Sequence, residues 1–412
     1  MSGNSPLLRL LPLVLGLAVA APAPALAQAV VTDARIGVHG RETHFVLDLS
    51  APISVERVFT LSGPYRVVID LPSSEMQPDL RNEKADTGII SGYRSGRYYR
   101  PGTFRMVLEL KGPVRVRKHF SLPPDPDHGY RHVFHLEPVS AETFAHERRA
   151  ARLTAATIPA PPAPAIKPRR PGGKKLIVID PGHGGIDPGA TRGRRIYEKH
   201  ITLEVAKRLK HELEKSGRYE VALTRERDIF IALRDRIAKA SQLQAELFVS
   251  VHADTIGKRQ VRGASVYTLS EEASDPDAAA FAARENKADL LAGIDMAYFE
   301  EEPEAGKILI DMAQNAAKNC SNQFAKFLVD ELRRSRQRLL RKPQRSAGFA
   351  VLKAPGVPSV LVELGYLSNK HDARRLVDPT HQATLARAVR QAIGRFFQPK
   401  CSMIGTDVSS TR

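Results

Sequence analysis

Three predicted strands in the second half of this 412-residue chain are followed by side chains that could bind a metal ion or move a proton. These side chains are His183, His252 and Glu363, which come after the apolar runs 176–179, 247–251 and 359–362. A fourth such residue, Glu198, begins a predicted helix fifteen positions after His183. In open α/β sheets the loops beyond the carboxyl ends of the strands converge on one crevice, where ligand sites are built. We therefore expect the four side chains to share one site.

The residue types in this set fit a catalytic zinc site. Such a zinc takes three protein ligands from His and Asp or Glu, and leaves its fourth position to water. We assign His183, Glu198 and His252 as the ligands, and Glu363 as the general base that accepts a proton from that water. Each residue alone has an ordinary alternative, because loop histidines are commonly solvated and first-turn glutamates interact with the helix dipole. Their common strand-end placement favours the metal site.

Five segments of the second half, in this order, resemble the zinc-dependent N-acetylmuramoyl-L-alanine amidases of the Amidase_3 type. The segments are IDPGHGGIDPGA (179–190), EKHITLEVAKRLK (198–210), FVSVHAD (248–254), GASVYTLS (263–270) and AVLKAPGVPSVLVELGYLSN (350–369). The resemblance implies zinc as the cofactor, with the ligands and the catalytic carboxylate assigned above. It also implies hydrolysis of the bond between the lactyl group of N-acetylmuramic acid and the L-alanine of the stem peptide in peptidoglycan. In the family this reaction serves cell-wall remodelling and the separation of daughter cells.

Two other classes of function stay open from the sequence. A zinc peptidase that cleaves stem-peptide bonds would need the same metal site, and the masses of the released products would distinguish it from an amidase. A non-catalytic wall-binding scaffold is disfavoured, because all four site residues are present.

Strands and helices alternate through the predicted catalytic domain, residues 174–398. Apolar residues four positions apart give one buried face to a helix from about Glu198 to Lys215. The other predicted elements are strands 219–224, 247–251 and 264–269 and helices 231–244 and 379–397. This alternation predicts an α/β fold, with a mostly parallel sheet covered by helices on both faces.

The composition and the first residues indicate an exported protein with an anionic partner. The formal net charge is +17 and the pI is near 9.9, which favours a cell-wall polymer, a membrane surface or nucleic acid. Nucleic acid is the weakest of these, because the basic residues form no stripe with aromatic residues. Residues 1–27 resemble a Sec-type signal peptide with the cleavage site Ala25-Leu26-Ala27. We expect a periplasmic protein with no integral membrane segment after cleavage.

Residues 30–138 are strand-rich and contain an internal duplication. Segment 45–72 aligns with segment 106–138, because each has a strand ending in an acidic-Leu pair, a proline turn and two further strands. Two such copies packed face to face predict a small all-β sandwich. The region resembles the AMIN domain, which in amidases targets the enzyme to peptidoglycan at division sites. A spacer without a ligand is the alternative.

A basic and aromatic set in this domain is the candidate wall-binding surface, and we expect it to be exposed. Its members are Tyr93, Arg94, Arg97, Tyr98, Tyr99 and Arg100. The following residues, 139–173, are predicted to be a proline-rich linker, in which segment 158–171 has too many prolines for a helix or a central strand and should be extended. We therefore expect two domains that are tethered without a shared core, followed by a tail at 399–412.

Residues from about 271 to 335 form a stretch that the sheet does not need, and we predict an insertion of regulatory helices. Residues 271–304 hold eleven acidic and two basic residues in an otherwise basic chain. Such a segment could be drawn to a metal site, or it could be an acidic, solvated helix face. In the relatives, an inserted helix occludes the zinc until an activator, typically a LytM-domain protein, removes it. ENKADLLAGI (285–294) resembles that helix, which points to Glu285, or else Asp289, as the carboxylate at the open zinc position.

For several residues the sequence is compatible with more than one role. Asp180 and Asp254 lie close in sequence to the predicted ligand histidines, and could either orient them or be solvated turn carboxylates. Cys320 and Cys401 fit no metal-ligand spacing, and a disulfide and two unpaired thiols are both compatible with the sequence. The amphipathic helix around Phe324 is either part of the core or an activator-binding surface.

Overall fold

The structure is a computed structural model that describes residues 29–72, 75–76, 82–83, 85–98, 103–155, 173–193, 195–293 and 307–398. The predicted signal peptide, most of the proline-rich segment, Cys401 and the tail lie outside these residues. No helix in the described part of the chain is long and apolar enough to cross a bilayer.

The first domain is a β-sandwich, as predicted. Its strands are β1 (Val30–His39), β2 (Glu42–Leu49), β3 (Arg57–Leu61), β4 (Arg66–Pro72), β5 (Glu75–Met76), β6 (Asn82–Glu83), β7 (Ile90–Arg97), β8 (Thr103–Leu110), β9 (Val114–Leu122) and β10 (Tyr130–Pro138). They form two five-stranded sheets, in the orders β5-β1-β2-β10-β9 and β3-β4-β8-β7-β6. Burial alternates along β2, so that Phe45 and Leu47 enter the core while His44 and Val46 face outwards.

The strands of the two predicted copies pair with each other within each sheet. β2, from the first copy, pairs with β10, the last strand of the second copy. β8, from the second copy, pairs with β4, the last strand of the first copy. Each sheet therefore contains strands of both copies, and neither copy completes a sheet alone.

The segment predicted to be a linker, residues 139–173, begins with a helix, α1 (Ala141–Ala155). This part of the segment is rich in Ala, Glu and Arg, which favour helix, and its first proline is Pro159. Phe144 on α1 packs edge-on against Tyr65 of the sandwich at 5.2 Å between ring centres, so this helix packs on the first domain. Segment 158–171, for which we predicted an extended conformation, lies outside the described residues.

The second domain has the predicted α/β fold. Its elements are β11 (Lys175–Pro181), β12 (Thr191–Arg192), β13 (Ile196–Tyr197), α2 (Glu198–Glu214), β14 (Tyr219–Leu223), α3 (Leu233–Gln242), β15 (Leu247–His252), β16 (Ala264–Leu269), α4 (Pro276–Glu285), α5 (Ala288–Leu291), α6 (Lys307–Arg334), β17 (Leu339–Ala347), β18 (Ser359–Glu363), α7 (Lys370–Leu376) and α8 (Pro379–Phe396). The main sheet has the order β14-β11-β15-β18-β16-β17. Its first four strands are mutually parallel and β16 runs antiparallel to β18.

Helices cover both faces of this sheet. On one face α2, α6 and α8 pack on apolar residues such as Ile177, Val249 and Val362. On the other face α3 and α4 pack on residues that include Val178 and Phe248. Phe324 of α6 is fully buried in the first of these cores, where Cys320 also lies, so this part of α6 belongs to the core.

The two domains share a small apolar cluster, which contradicts the prediction that they are only tethered. Tyr98 of the sandwich stacks on Phe230 of the α/β domain at 6.2 Å between ring centres, and both contribute to this cluster with Ile186. Tyr93 lies in the sandwich core, at 3% exposure. The candidate wall-binding surface was therefore wrong for these two tyrosines, because both face apolar neighbours. Tyr99 and Arg100 lie outside the described residues.

Candidate metal and catalytic site

The fold brings the four predicted site residues to one edge of the main sheet. His252 and Glu363 end the neighbouring parallel strands β15 and β18, and are paired in register. His183 follows β11, and Glu198 is the first residue of α2. All four side chains are less than a tenth exposed.

Two glycines permit this close approach. A Cβ atom on Gly182 would lie 2.4 Å from the His252 ring. A Cβ on Gly189 would lie 2.6 Å from the His183 ring and 2.7 Å from Glu198 Oε2. Any larger residue at either position would push the site apart.

Glu198 lies between the two imidazoles. Its Oε2 is 3.2 Å from His183 Nε2, and its Oε1 is 3.2 Å from His252 Nδ1. The backbone N–H groups of Ala190 and Ala253 donate to the same two oxygens, at 2.8 and 2.7 Å. These bonds fix the carboxylate, so that it faces both histidines.

A third carboxylate comes from the inserted helix α4. Glu285 Oε2 lies 3.2 Å from His252 Nδ1 and 3.5 Å from His183 Nε2. One donor atom from each of these three residues falls within 4.8 Å of the other two. Asp289, the second candidate, instead accepts a hydrogen bond from the Leu233 backbone N–H at 2.9 Å.

The donor set fits a divalent zinc ion. Metal–ligand distances near 2.1 Å place neighbouring ligand atoms of a tetrahedral zinc about 3.3 Å apart. The distances of 3.2 and 3.5 Å from Glu285 Oε2 to the two imidazole nitrogens agree with this spacing. Glu198 approaches each nitrogen at 3.2 Å, but with a different oxygen for each. His183 Nε2 and His252 Nδ1 are also buried without a hydrogen-bond partner among the described residues. Buried polar atoms are nearly always partnered, so these two nitrogens are suited to bind a cation.

The buried carboxylates around the site also favour a bound cation. Burial raises the pKa of Glu363 well above its ordinary value, and the carboxylates of Glu198 and Asp254 raise it further. Burial raises the pKa of Glu285 to about 7, although His252 and His183 oppose the shift. Buried carboxylates that repel one another are stabilised by a positive ion between them.

Glu363 is placed to move a proton. Its Oε1 accepts a hydrogen bond from the Asp254 backbone N–H at 2.8 Å. Its Oε2 has no hydrogen-bond partner among the described residues, and the side chain is fully buried. The oriented carboxylate thus keeps one oxygen available.

Asp187 is a functional residue that the sequence reasoning missed. Its Oδ2 lies 2.8 Å from His183 Nδ1, an arrangement that leaves Nε2 of the same ring for a metal. A carboxylate four positions after the candidate ligand, within GGIDPGA, was the available signal. Arg236 was also missed, and it donates to the His183 carbonyl oxygen at 2.8 Å.

Asp180 and Asp254 do not play the orienting role considered for them. The Asp180 carboxylate accepts hydrogen bonds from Thr224, Arg236 and Ser250, at 2.6 to 2.8 Å. The Asp254 carboxylate pairs with Arg284 of α4 at 2.5 Å. Sequence proximity was misleading here, because side chains of other elements occupy both carboxylates.

The α4 and α5 helices cover the site and are held in place from several sides. Phe281 of α4 packs against Tyr267 and Phe349 with ring centres 5.1 and 5.2 Å apart. Arg66 of the sandwich donates to the Leu290 carbonyl oxygen at the end of α5. Arg105 donates to the Ala292 carbonyl oxygen at 3.4 Å, while its other nitrogens bind Asp70.

A mostly parallel α/β sheet with two histidines and several carboxylates at its carboxyl edge defines the metallohydrolase class of site. The model of the family N-acetylmuramoyl-L-alanine amidase (Amidase_3) matches residues 177–395, and the AMIN domain model matches residues 30–126. The chain belongs to the N-acetylmuramoyl-L-alanine amidase family, which confirms the resemblance seen in the sequence motifs.

Individual relatives match along both domains. The chain is 35% identical over 353 residues to N-acetylmuramoyl-L-alanine amidase AmiC of Escherichia coli O6:H1, covering 82% of this chain and 83% of that one. It is 32% identical over 382 residues to the AmiC protein of Neisseria meningitidis serogroup B, covering 89% of each chain. Among solved structures, AmiC2 of Nostoc punctiforme is 28% identical, and the match covers 55% of this chain and 98% of that chain with a TM-score of 0.38.

Proposed function

We propose that this chain is a zinc-dependent amidase that hydrolyses the bond between the N-acetylmuramoyl lactyl group and L-alanine in peptidoglycan. The observation that carries the proposal is the pair of buried, unpartnered imidazole nitrogens facing Glu198 beside Glu363. His183, Glu198 and His252 would hold the zinc. When bound, this ion would lower the pKa of a water molecule and polarise the substrate carbonyl.

The protein residues supply the positioning and the proton transfer. Glu363 would accept the proton of the attacking water at Oε2, its free oxygen, and later deliver it to the leaving nitrogen of L-alanine. The Asp254 N–H holds the other oxygen and so fixes the direction in which Glu363 presents this proton. Asp187 keeps the proton of His183 on Nδ1, so that Nε2 is a metal donor.

We further propose that α4 and α5 keep the enzyme inactive. Glu285 lies where a fourth zinc ligand would be, beside both histidines, and would exclude water or substrate from that position. Arg284 pairs with Asp254, whose backbone N–H binds Glu363, so the same helix is linked to the proton-transfer group through Asp254. Removing the two helices would open the metal to substrate.

The remaining predictions on location and partners belong to this proposal. The 1–27 segment supports export to the periplasm, and the AMIN domain match supports targeting to peptidoglycan. An activator, of the LytM-domain kind by resemblance, would pull α4 away during daughter-cell separation.

The test is a digest of purified peptidoglycan by the full-length chain and by a variant lacking residues 277–295. We expect the deletion to raise the release of stem peptides that begin with free L-alanine. Chelation, or Glu363→Ala in the deletion variant, should abolish this release, with zinc still bound to the substituted protein. Cleavage within the stem peptide would instead show a peptidase, and bound zinc without cleavage would show a scaffold. Equal rates with and without residues 277–295 would contradict the inhibitory role.

A further inference from the structure

A second cluster of histidines and a carboxylate lies on the outer face of the sandwich. Glu42 and His44 are two positions apart on β2, so both point to the same face of the sheet. His135 of β10 is paired in register with His44, which places the two imidazoles side by side. Their ring centres are 3.9 Å apart.

The donor atoms of this cluster have the spacing found at the catalytic site. Glu42 Oε2 lies 3.2 Å from His135 Nδ1 and 3.5 Å from His44 Nε2. One donor atom from each residue falls within 4.8 Å of the other two. Neighbouring ligands of a tetrahedral zinc are about 3.3 Å apart, so the three atoms could share one ion.

His44 Nε2 shares one property with the imidazole nitrogens of the catalytic site, which is the lack of a hydrogen-bond partner in the described part of the chain. It is buried at the atomic level and has no hydrogen-bond partner among the described residues. The His39 ring stacks on the His44 ring at 5.3 Å with an 8° angle between planes, which holds the imidazole in orientation. A fixed, unpartnered nitrogen that points at a carboxylate oxygen indicates a cation between them.

The surroundings of Glu42 are compatible with this cation. Arg117 donates to Oε1 of Glu42 at 2.6 Å and so leaves Oε2 to the two imidazoles. His135 Nδ1 lies within hydrogen-bond distance of this Oε2, at 3.2 Å, and a metal ion would replace that contact. The Arg117 side chain is 61% exposed, so solvent screens part of its charge, although it pairs directly with Oε1.

We propose that Glu42, His44 and His135 form a second metal site, which takes a zinc-like divalent cation. Two imidazoles and a carboxylate select zinc or a neighbouring transition metal over calcium or magnesium, which prefer oxygen ligands. The ion would join β2 of the first copy to β10 of the second and so reinforce the pairing between the copies. The side chains are 13 to 22% exposed, so its fourth position opens to solvent.

The test counts zinc in the full-length protein after chelator stripping, reloading with Zn²⁺ and gel filtration. We expect about two equivalents in the wild type and about one in each of His44→Asn, Glu42→Gln and His252→Asn. The combination of His44→Asn with His252→Asn should retain close to none. His128→Asn is the matched control, because His128 lies in the same domain and pairs with Asp125 outside the cluster, and it should keep both ions.

Further measurements separate loss of the site from loss of the fold. The His44→Asn and Glu42→Gln proteins, studied in chelator, should have the wild-type melting temperature and circular dichroism. In the variant lacking residues 277–295, the same two substitutions should leave peptidoglycan hydrolysis after reloading unchanged, whereas His252→Asn should abolish it. A single equivalent in the wild type, or two equivalents in His44→Asn, would overturn the second site and leave the proposed amidase function untouched.

Discussion

The catalytic cluster and the sandwich cluster use similar donors in different settings. Each places two imidazoles beside a carboxylate with nitrogen–oxygen distances of 3.2 to 3.5 Å. His183, Glu198 and His252 have side chains at most 8% exposed, whereas those of the sandwich cluster are 13 to 22% exposed. The catalytic cluster also faces additional buried carboxylates, Glu363 and Asp254.

This difference separates a site that can do chemistry from one that can only bind. Burial of the carboxyl group raises the pKa of Glu363, and the neighbouring carboxylates, which act strongly on it in a low-dielectric site, raise it further. A proton acceptor with a raised pKa beside a metal is what a hydrolase needs. The sandwich cluster lies nearer to solvent and has no equivalent of Glu363 among the residues that the structure describes, so its metal would stabilise structure without reacting.

The largest expected effect is on hydrolysis by Glu363→Gln in the variant lacking residues 277–295. Removing a general base costs roughly 10²- to 10⁴-fold in rate, and we expect a loss in this range. The zinc content should not change, because Glu363 is not among the proposed ligands. Peptide release measured by liquid chromatography and mass spectrometry gives the rate, with Glu42→Gln as the control. A comparable loss in Glu42→Gln would erase the distinction between the two clusters.

The second largest effect is expected in the Asp187→Asn variant, whose catalytic cluster should bind zinc more weakly. Asp187 orients the ring of His183, and removal of such a partner typically weakens metal binding about 10- to 100-fold. Competition with a chromogenic chelator measures the affinity of each site. The affinity of the sandwich cluster should stay constant and serves as the internal control. An unaltered catalytic affinity would show that the backbone alone orients His183.

A smaller effect is expected on basal activity in Arg66→Ala. Arg66 binds the Leu290 carbonyl oxygen at the end of α5, and a hydrogen bond contributes about 0.5 to 1.5 kcal/mol net. Its loss should loosen the inhibitory helices and raise the hydrolysis rate about three- to tenfold without an activator. Arg41→Ala, in an exposed turn of the same domain, should have no effect. If both variants kept the basal rate, the sandwich would have no part in inhibition.

Much of the fold and the catalytic geometry could be read from short segments. The buried strands are continuous apolar runs, and each relevant run is followed closely by His183, His252 or Glu363. Parallel strands bring such ends to one edge, so local pattern was sufficient to predict that these residues meet. The assignment of individual metal-binding roles remains a prediction.

The features that were missed depend on contacts between distant parts of the chain. His44 and His135 meet only because β2 and β10 pair in one register, and a one-residue shift would put His135 on the other face. The contact of Tyr98 with Phe230 likewise joins two domains. Neither is encoded in a local spacing, which explains why the tyrosine was assigned to an exposed surface.

The smallest expected effect is on the free energy of unfolding, and it tests metal binding at the sandwich cluster alone. In a His252→Asn background, zinc at three times the dissociation constant of the sandwich site should stabilise the folded chain by about 0.8 kcal/mol. For a chain of 412 residues this corresponds to a rise of about 1 °C in melting temperature. Adding Glu42→Gln should remove the rise, because the shared carboxylate oxygen is lost. If the rise persisted, the stabilising ion would lie elsewhere, and the geometric likeness of the two clusters would not extend to metal binding.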